Sequence, residues 1–196
     1  MIAEKDSDAP VFAPGLFTGR HLLVTGGGTG IGFAIAREFA ALGARITIAA
    51  RTESKLQAAA DELRKLGADA AWHAVNIRDE AQVTAAIDQT VAEFGGIDIC
   101  VNNASAISLT NSQGTDMKRF DLMMGINTRG TFMVSKYCIP HLKKAANPHI
   151  LMLSPPLDMK QKWFEHSTAY TIAKFGMSMC VLGLSGELRS AGVAVN

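Results

Sequence analysis

Cysteine is scarce and poorly placed for cross-linking. Cys100, Cys138 and Cys180 are an odd set at wide spacing in apolar surroundings, the pattern of small buried hydrophobes in a reducing compartment and not of a disulfide framework. Long hydrophobic runs are also missing. The longest, at residues 177–184, is interrupted by Ser and Gly and falls far short of the roughly 20 residues that cross a bilayer. The opening MIAEKDSDAP is acidic and lacks the apolar segment of a secretory signal. Nineteen basic against eighteen acidic residues leave a formal charge of +1, so no global field draws the chain to nucleic acid or to a membrane surface. His73, His149 and His166 show no metal-ligand spacing, and no metal is expected. These absences predict a cytoplasmic protein with no nucleic-acid partner and no membrane span.

Its 196 residues suffice for one sizeable domain. Residues 1–19 carry prolines, acids and scattered Phe and Leu without period, and are expected to form an arm lying on the domain. Beyond them, short apolar runs alternate with helical patterns. Strands are predicted at 21–24, 45–50, 70–77, 97–101 and 149–153; helices at 33–42, 53–66, 79–94, 117–144 and 167–189; and a last strand begins at 193–196. Regular alternation of this kind predicts an α/β, doubly wound Rossmann fold, a parallel sheet with helices on both faces. Because the chain stops where its last strand starts, a further C-terminal part is expected beyond Asn196.

Between the first strand and the first helix lies TGGGTGIG at residues 25–32. A glycine turn entering a helix leaves backbone N–H groups unpaired and aimed at one spot, where the helix dipole favours a phosphate. The fingerprint G-x-G-x-x-G is not met, and the spacing that fits is Gly26, Gly30 and Gly32. At the end of the second strand, where dinucleotide sites place either an acid for a ribose hydroxyl or an arginine for a 2′-phosphate, the chain has Ala50, Arg51 and Thr52. With no carboxylate there and a guanidinium available, NADP(H) is expected in preference to NAD(H). Asn102 and Asn103 follow the buried fourth strand, where a ligand would lie. Tyr170 and Lys174 stand four apart in the last long helix, so an ammonium can lie near a phenol and favour its phenolate.

Together TGGGTGIG, the NNA of residues 102–104, Asn127 in GINTRG and YTIAK at 170–174 resemble the short-chain dehydrogenase/reductase family over residues 20–196. The stretches NNASAISLTNSQ, DLMMGINTRGTF and AYTIAKFGMSM are similar to its hydroxysteroid dehydrogenase-like branch, and the FAPGLFTGR arm to its enoyl-CoA and dienoyl-CoA reductases. The resemblance implies hydride transfer between NADPH and a carbonyl or alcohol of a lipid-like or acyl-CoA-like substrate. Alternatives are reduction of an enoyl-CoA double bond, and nucleotide binding with little catalysis. It further implies Tyr170 as acid/base, Lys174 on the nicotinamide ribose, and Asn127 holding a relay water. Gly26, Gly28, Thr29, Gly30, Ile31 and Gly32 would cradle the diphosphate, with Arg51 at the 2′-phosphate, Asn76 and Ile77 at the adenine, and Asn103 and Ala104 along the ribose and nicotinamide.

The match has departures. Asn76 stands where an acid is usual, Ser105 replaces a glycine, and the usual spacing for the catalytic serine falls on Leu157. Aligning strand ends instead puts Pro155 on the serine with Ser154 just before it. Either Ser154 reaches the substrate oxygen or the oxyanion support is missing. The resemblance also implies a homodimer or homotetramer built on the two long helices.

Overall fold

The computed structural model describes residues 11–196, so the first half of the expected N-terminal arm lies outside the described residues. Six strands, β1 (His21–Thr25), β2 (Arg45–Ala50), β3 (Ala70–Ala74), β4 (Ile99–Asn102), β5 (His149–Met152) and β6 (Ala194–Val195), form one sheet in the order β3-β2-β1-β4-β5-β6. Every pairing is parallel. Helices α1 (Gly30–Ala41), α2 (Glu53–Lys65), α3 (Glu80–Phe94), α4 (Met117–Met123), α5 (Thr131–Leu142) and α6 (Thr168–Glu187) connect them. The order reverses between β1 and β4, which opens a crevice at their carboxyl ends.

Side-chain alternation along the strands assigns the helices to faces. Leu22, Val24, Ile46 and Ile48 pack with Ala36, Leu56 and Leu63 of α1 and α2. Leu23, Cys100 and Ile150 turn the other way, onto Val83, Val134, Cys138 and Met177 of α3, α5 and α6. Cys100 and Cys138 are buried free thiols, as their apolar contexts imply. Phe17 lies on the domain, stacked on Phe39 with ring centroids 4.4 Å apart.

The third strand ends three residues earlier than its apolar pattern suggests. Val75 N–H donates to Ala50 at 2.7 Å, at the end of β2. Asn76 then turns the chain, accepting from Arg78 N–H at 3.2 Å. The predicted long helix is continuous in direction but not in type. Between α4 and α5 it widens into a π-helical turn at Met124–Gly130, an arrangement frequent at functional sites.

Candidate functional site

The glycine turn is shaped by contact with the loop after β4. Gly26 has a left-handed φ of 68°, and a Cβ there would come within 2.7 Å of Asn103 Nδ2. A Cβ on Gly32 would sit 2.4 Å from the Gly26 carbonyl oxygen, so α1 can start this close to the turn only with glycine. Asn103 holds the two loops together. Its Nδ2 donates to Thr25 O at 3.0 Å and to Gly26 O at 3.2 Å, while the buried Thr25 hydroxyl accepts from the N–H groups of Asn103 and Ala104 at 3.1 and 3.2 Å. Thr29, extended at the start of α1, makes no side-chain cap, so no side chain competes for the first N–H groups of the helix.

A cavity of about 380 Å³ follows from this arrangement. Gly26, Gly28, Thr29, Arg51, Asn76, Ile77, Asn103 and Ala104, all singled out in the sequence, line it together. Gly30, Ile31 and Gly32 lie in the first turn of α1 outside that lining, with Ile31 exposed to solvent. Ser105 lines the cavity where the family has glycine, and Lys55, overlooked in the sequence, lines it beside Arg51 and Thr52. No carboxylate lines the cavity, and neither Arg51 nor Lys55 is drawn into an ion pair among the described residues. The spacing from Arg51 to Lys55, four residues across the start of α2, was the available signal for Lys55.

A second cavity, about 270 Å³, opens where β5 ends and α6 begins, lined by Pro155, Pro156, Asp158, Trp163, Tyr170, Thr171, Lys174 and Phe175. Tyr170 and Lys174 share this lining. The Lys174 ammonium donates to Leu153 O at the strand end and approaches Met177 Sδ at 3.3 Å, and its burial lowers the lysine pKa. The loop between β5 and α6 brings Pro155 and Pro156 to the wall; Ser154 is not among the lining residues. Ser154 donates its N–H to Met152 O at 2.9 Å, and Pro155 O accepts from the Ser178 hydroxyl at 2.6 Å.

Asn127 is fully buried in the π-helical turn. Its Oδ1 accepts from Ala106 N–H at 2.7 Å and its Nδ2 donates to Ala106 O at 2.9 Å. That pair ties the turn to the loop after β4. Ala106 in turn packs in a small cluster with Met123, Ala169, Ala173 and Tyr170, which links the glycine-turn side of the site to the tyrosine. Among the described residues no group of acidic, Cys and His side chains could hold a metal, and no helix is long and apolar enough to cross a membrane.

Comparison with known proteins places this geometry in a family. The model of the short chain dehydrogenase family matches residues 20–196. Hydroxysteroid dehydrogenase-like protein 2 of Danio rerio is 51% identical over 189 residues, covering 93% of this chain and 45% of the relative; the Homo sapiens protein of that name is 49% identical with the same coverage. The chain thus spans about half the length of the curated relatives it matches. Among solved structures, a short chain dehydrogenase from Mycobacterium thermoresistibile superposes with a TM-score of 0.88 at 47% identity, covering 90% of this chain and 65% of that one. A metagenomic short-chain oxidoreductase in complex with NADP gives 0.85 at 28% identity, covering 92% and 81%. The family model over residues 20–196, the relatives at about half identity and the parallel sheet order together show that the chain belongs to the short-chain dehydrogenase/reductase family.

Proposed function

We propose that the protein is an NADP(H)-dependent oxidoreductase that interconverts a carbonyl and an alcohol. The observation that carries this reading is the lining of the two cavities: one has a glycine turn and two basic side chains without a carboxylate, the other a tyrosine and a lysine on one helix face. The first fits a dinucleotide, because a Cβ at Gly26 or Gly32 would fill the space that the close approach of the loops requires. Gly26, Gly28 and Thr29, with the N–H groups of Gly30, Ile31 and Gly32, receive the diphosphate. Arg51 and Lys55 take the 2′-phosphate, Asn76 and Ile77 the adenine, and Asn103 and Ala104 the ribose and nicotinamide side. NADPH bound there supplies the hydride for the carbonyl carbon.

The chain's own residues handle the proton. Tyr170 Oη donates to the substrate oxygen as the alcohol forms and takes the proton back in the reverse direction. The Lys174 ammonium, one turn along α6 and held at the end of β5, offsets the charge left on the phenol oxygen. Asn127 braces the loop at Ala106 and keeps a second amide N–H for a relay water. Ser154 lies outside the lining of that cavity and Pro155 and Pro156 have no donor, so from this wall Tyr170 meets the substrate oxygen without a serine beside it. Exposed Phe132 on α5, with Met179 and Leu182 on α6, supports pairing of two copies across these helices.

The test is turnover of a ketone and aldehyde panel with NADPH, using the full-length chain. Tyr170→Phe is expected to lower kcat by about a hundredfold or more while leaving NADPH affinity in place; unchanged turnover would refute the assignment. The two prolines in the wall favour a second reading, nucleotide binding with little catalysis. Tight NADPH binding without turnover of ketones, aldehydes or an enoyl thioester selects that reading.

A further inference from the structure

The segment between β5 and α6 has no strand and a single turn of 3₁₀ helix at Gln161–Trp163, yet it is tied together by its own side chains. The Asp158 carboxylate accepts from the Trp163 indole Nε1 at 2.9 Å, from Lys160 N–H at 3.2 Å and from Lys160 Nζ at 3.3 Å. The Thr171 hydroxyl on α6 donates to Trp163 O at 2.9 Å. Thr168 does the same for Phe164 O at 3.0 Å, and the Phe164 ring lies tilted on Phe175 with centroids 4.8 Å apart. The outcome is an indole fixed as one wall of the cavity that Tyr170 and Lys174 line.

An inventory of polar groups in that cavity decides what it can recognise. Asp158 is engaged by Trp163 and Lys160, the Trp163 N–H by Asp158, the Thr171 hydroxyl by Trp163 O, and two of the three Lys174 N–H donors by Leu153 O and Met177 Sδ. Pro155 and Pro156 offer no N–H. Among the lining residues the Tyr170 hydroxyl is therefore the one side-chain polar group without a partner in the described residues. A ligand oxygen is met there by Tyr170, with the remaining N–H of the Lys174 ammonium beside it, and most of the rest of the wall is carbon from the two prolines, the indole and Phe175. A second hydroxyl or carboxylate placed against the prolines, the indole or Phe175 would lose its water without gaining a partner.

We infer that this site takes an apolar carbonyl compound with a single polar group, that Trp163 sets its chain-length preference, and that Asp158 is a positioning residue that holds the indole in place. The inference rests on the reading of Tyr170 as the group that meets the substrate oxygen. It goes further by naming the substrate class and the loop residues that select it.

The test is a homologous series of 2-alkanones assayed with NADPH and the full-length chain, beside the same chains carrying a terminal hydroxyl or carboxylate. kcat/KM is expected to rise by about fourfold per added methylene, the value of one buried CH₂, until the cavity is filled, and the terminally polar analogues should lose that gain. Trp163→Ala should flatten the series, with the loss appearing in KM. Asp158→Ala should flatten it as well, and Asp158→Asn, whose amide oxygen still accepts from the indole, should restore most of the slope. A wild-type series without slope, the same slope in Trp163→Ala, or Asp158→Asn behaving like Asp158→Ala overturns the inference and leaves the oxidoreductase reading standing. Absence of turnover for every ketone overturns that reading instead; titration calorimetry of the same alkanones then measures the methylene increment, and a flat series there overturns the inference as well.

Discussion

Acidification should weaken the fold through one buried residue, His21. Its side chain is fully buried at the start of β1. Nδ1 lies 2.6 Å from Gly96 O, which can only accept, so Nδ1 carries the proton and Nε2 accepts from the Thr47 hydroxyl at 2.9 Å. The neutral ring is satisfied. Burial, with a smaller contribution from the Arg45 cation, lowers its pKa from 6.5 to about 4, against the opposing pull of the Gly96 carbonyl and of Asp98. The unfolded chain binds this proton below pH 6.5 and the folded chain does not until about pH 4. Stability is therefore whole above 6.5 and falls with pH between the two values. Each pH unit in that window costs up to about 1.4 kcal/mol, and the full passage about 3 kcal/mol, a large share of the 5–15 kcal/mol typical of a domain. Urea unfolding at a series of pH values should show this slope in the wild type and lose it in His21→Gln, which keeps a donor and an acceptor but does not titrate. His73, whose pKa burial also lowers, remains in both proteins, so the difference isolates His21. Equal slopes in the two proteins, or an NMR titration of His21 centred near 6.5, would refute the reasoning.

Two further outcomes follow from the first cavity. Gly32→Ala drives a Cβ against the Gly26 carbonyl and Asn103, and should cost about 1–3 kcal/mol in thermal unfolding together with NADPH binding; Gly30→Ala, where a Cβ meets nothing but φ is 59°, should cost about 1 kcal/mol. Arg51→Ala should weaken NADPH by about 10- to 100-fold, the range of a charge-assisted hydrogen bond, and Lys55→Ala by about tenfold, with NADH unaffected and both losses shrinking at high salt. Titration with the two nucleotides checks this, and an equal loss for both would remove the 2′-phosphate assignment.

Much of the fold could be read along the chain, because strand and helix periods are local properties. The strands at 45–50 and at 149–153 and the helices on either side of them follow from runs of apolar residues at spacings of two and of three to four. Their ends were less legible. Val75, Asn76 and Ile77 continue an apolar pattern, but the ladder stops where β2 ends, and the sequence of the third strand carries no record of its neighbour's length. The π-helical turn at Asn127 has no periodic signature either. The Asn127 amide meets Ala106, a residue 21 positions away.

The candidate site divides in the same way. Glycines with restricted conformations, a lysine one helical turn from a tyrosine, and an arginine just after a strand are marks that the sequence carries by itself, because each depends on neighbours within a few residues. What surrounds them was decided in three dimensions. Asn103 is marked in the sequence as an amide at a strand end on the ligand side, and only the parallel pairing of β1 with β4 makes it the brace of the glycine turn. Lys55 gains its meaning from the cavity that it shares with Asn76 and Asn103. Asp158 and Trp163 sit in a segment without period, and become a wall beside Tyr170 because side-chain hydrogen bonds, not backbone propensity, fold that loop. The sequence determined the elements and the chemically able residues, since these rest on local backbone preference and residue type; the tertiary structure decided which of them face one cavity, since that depends on strand order and on contacts between residues far apart in the chain.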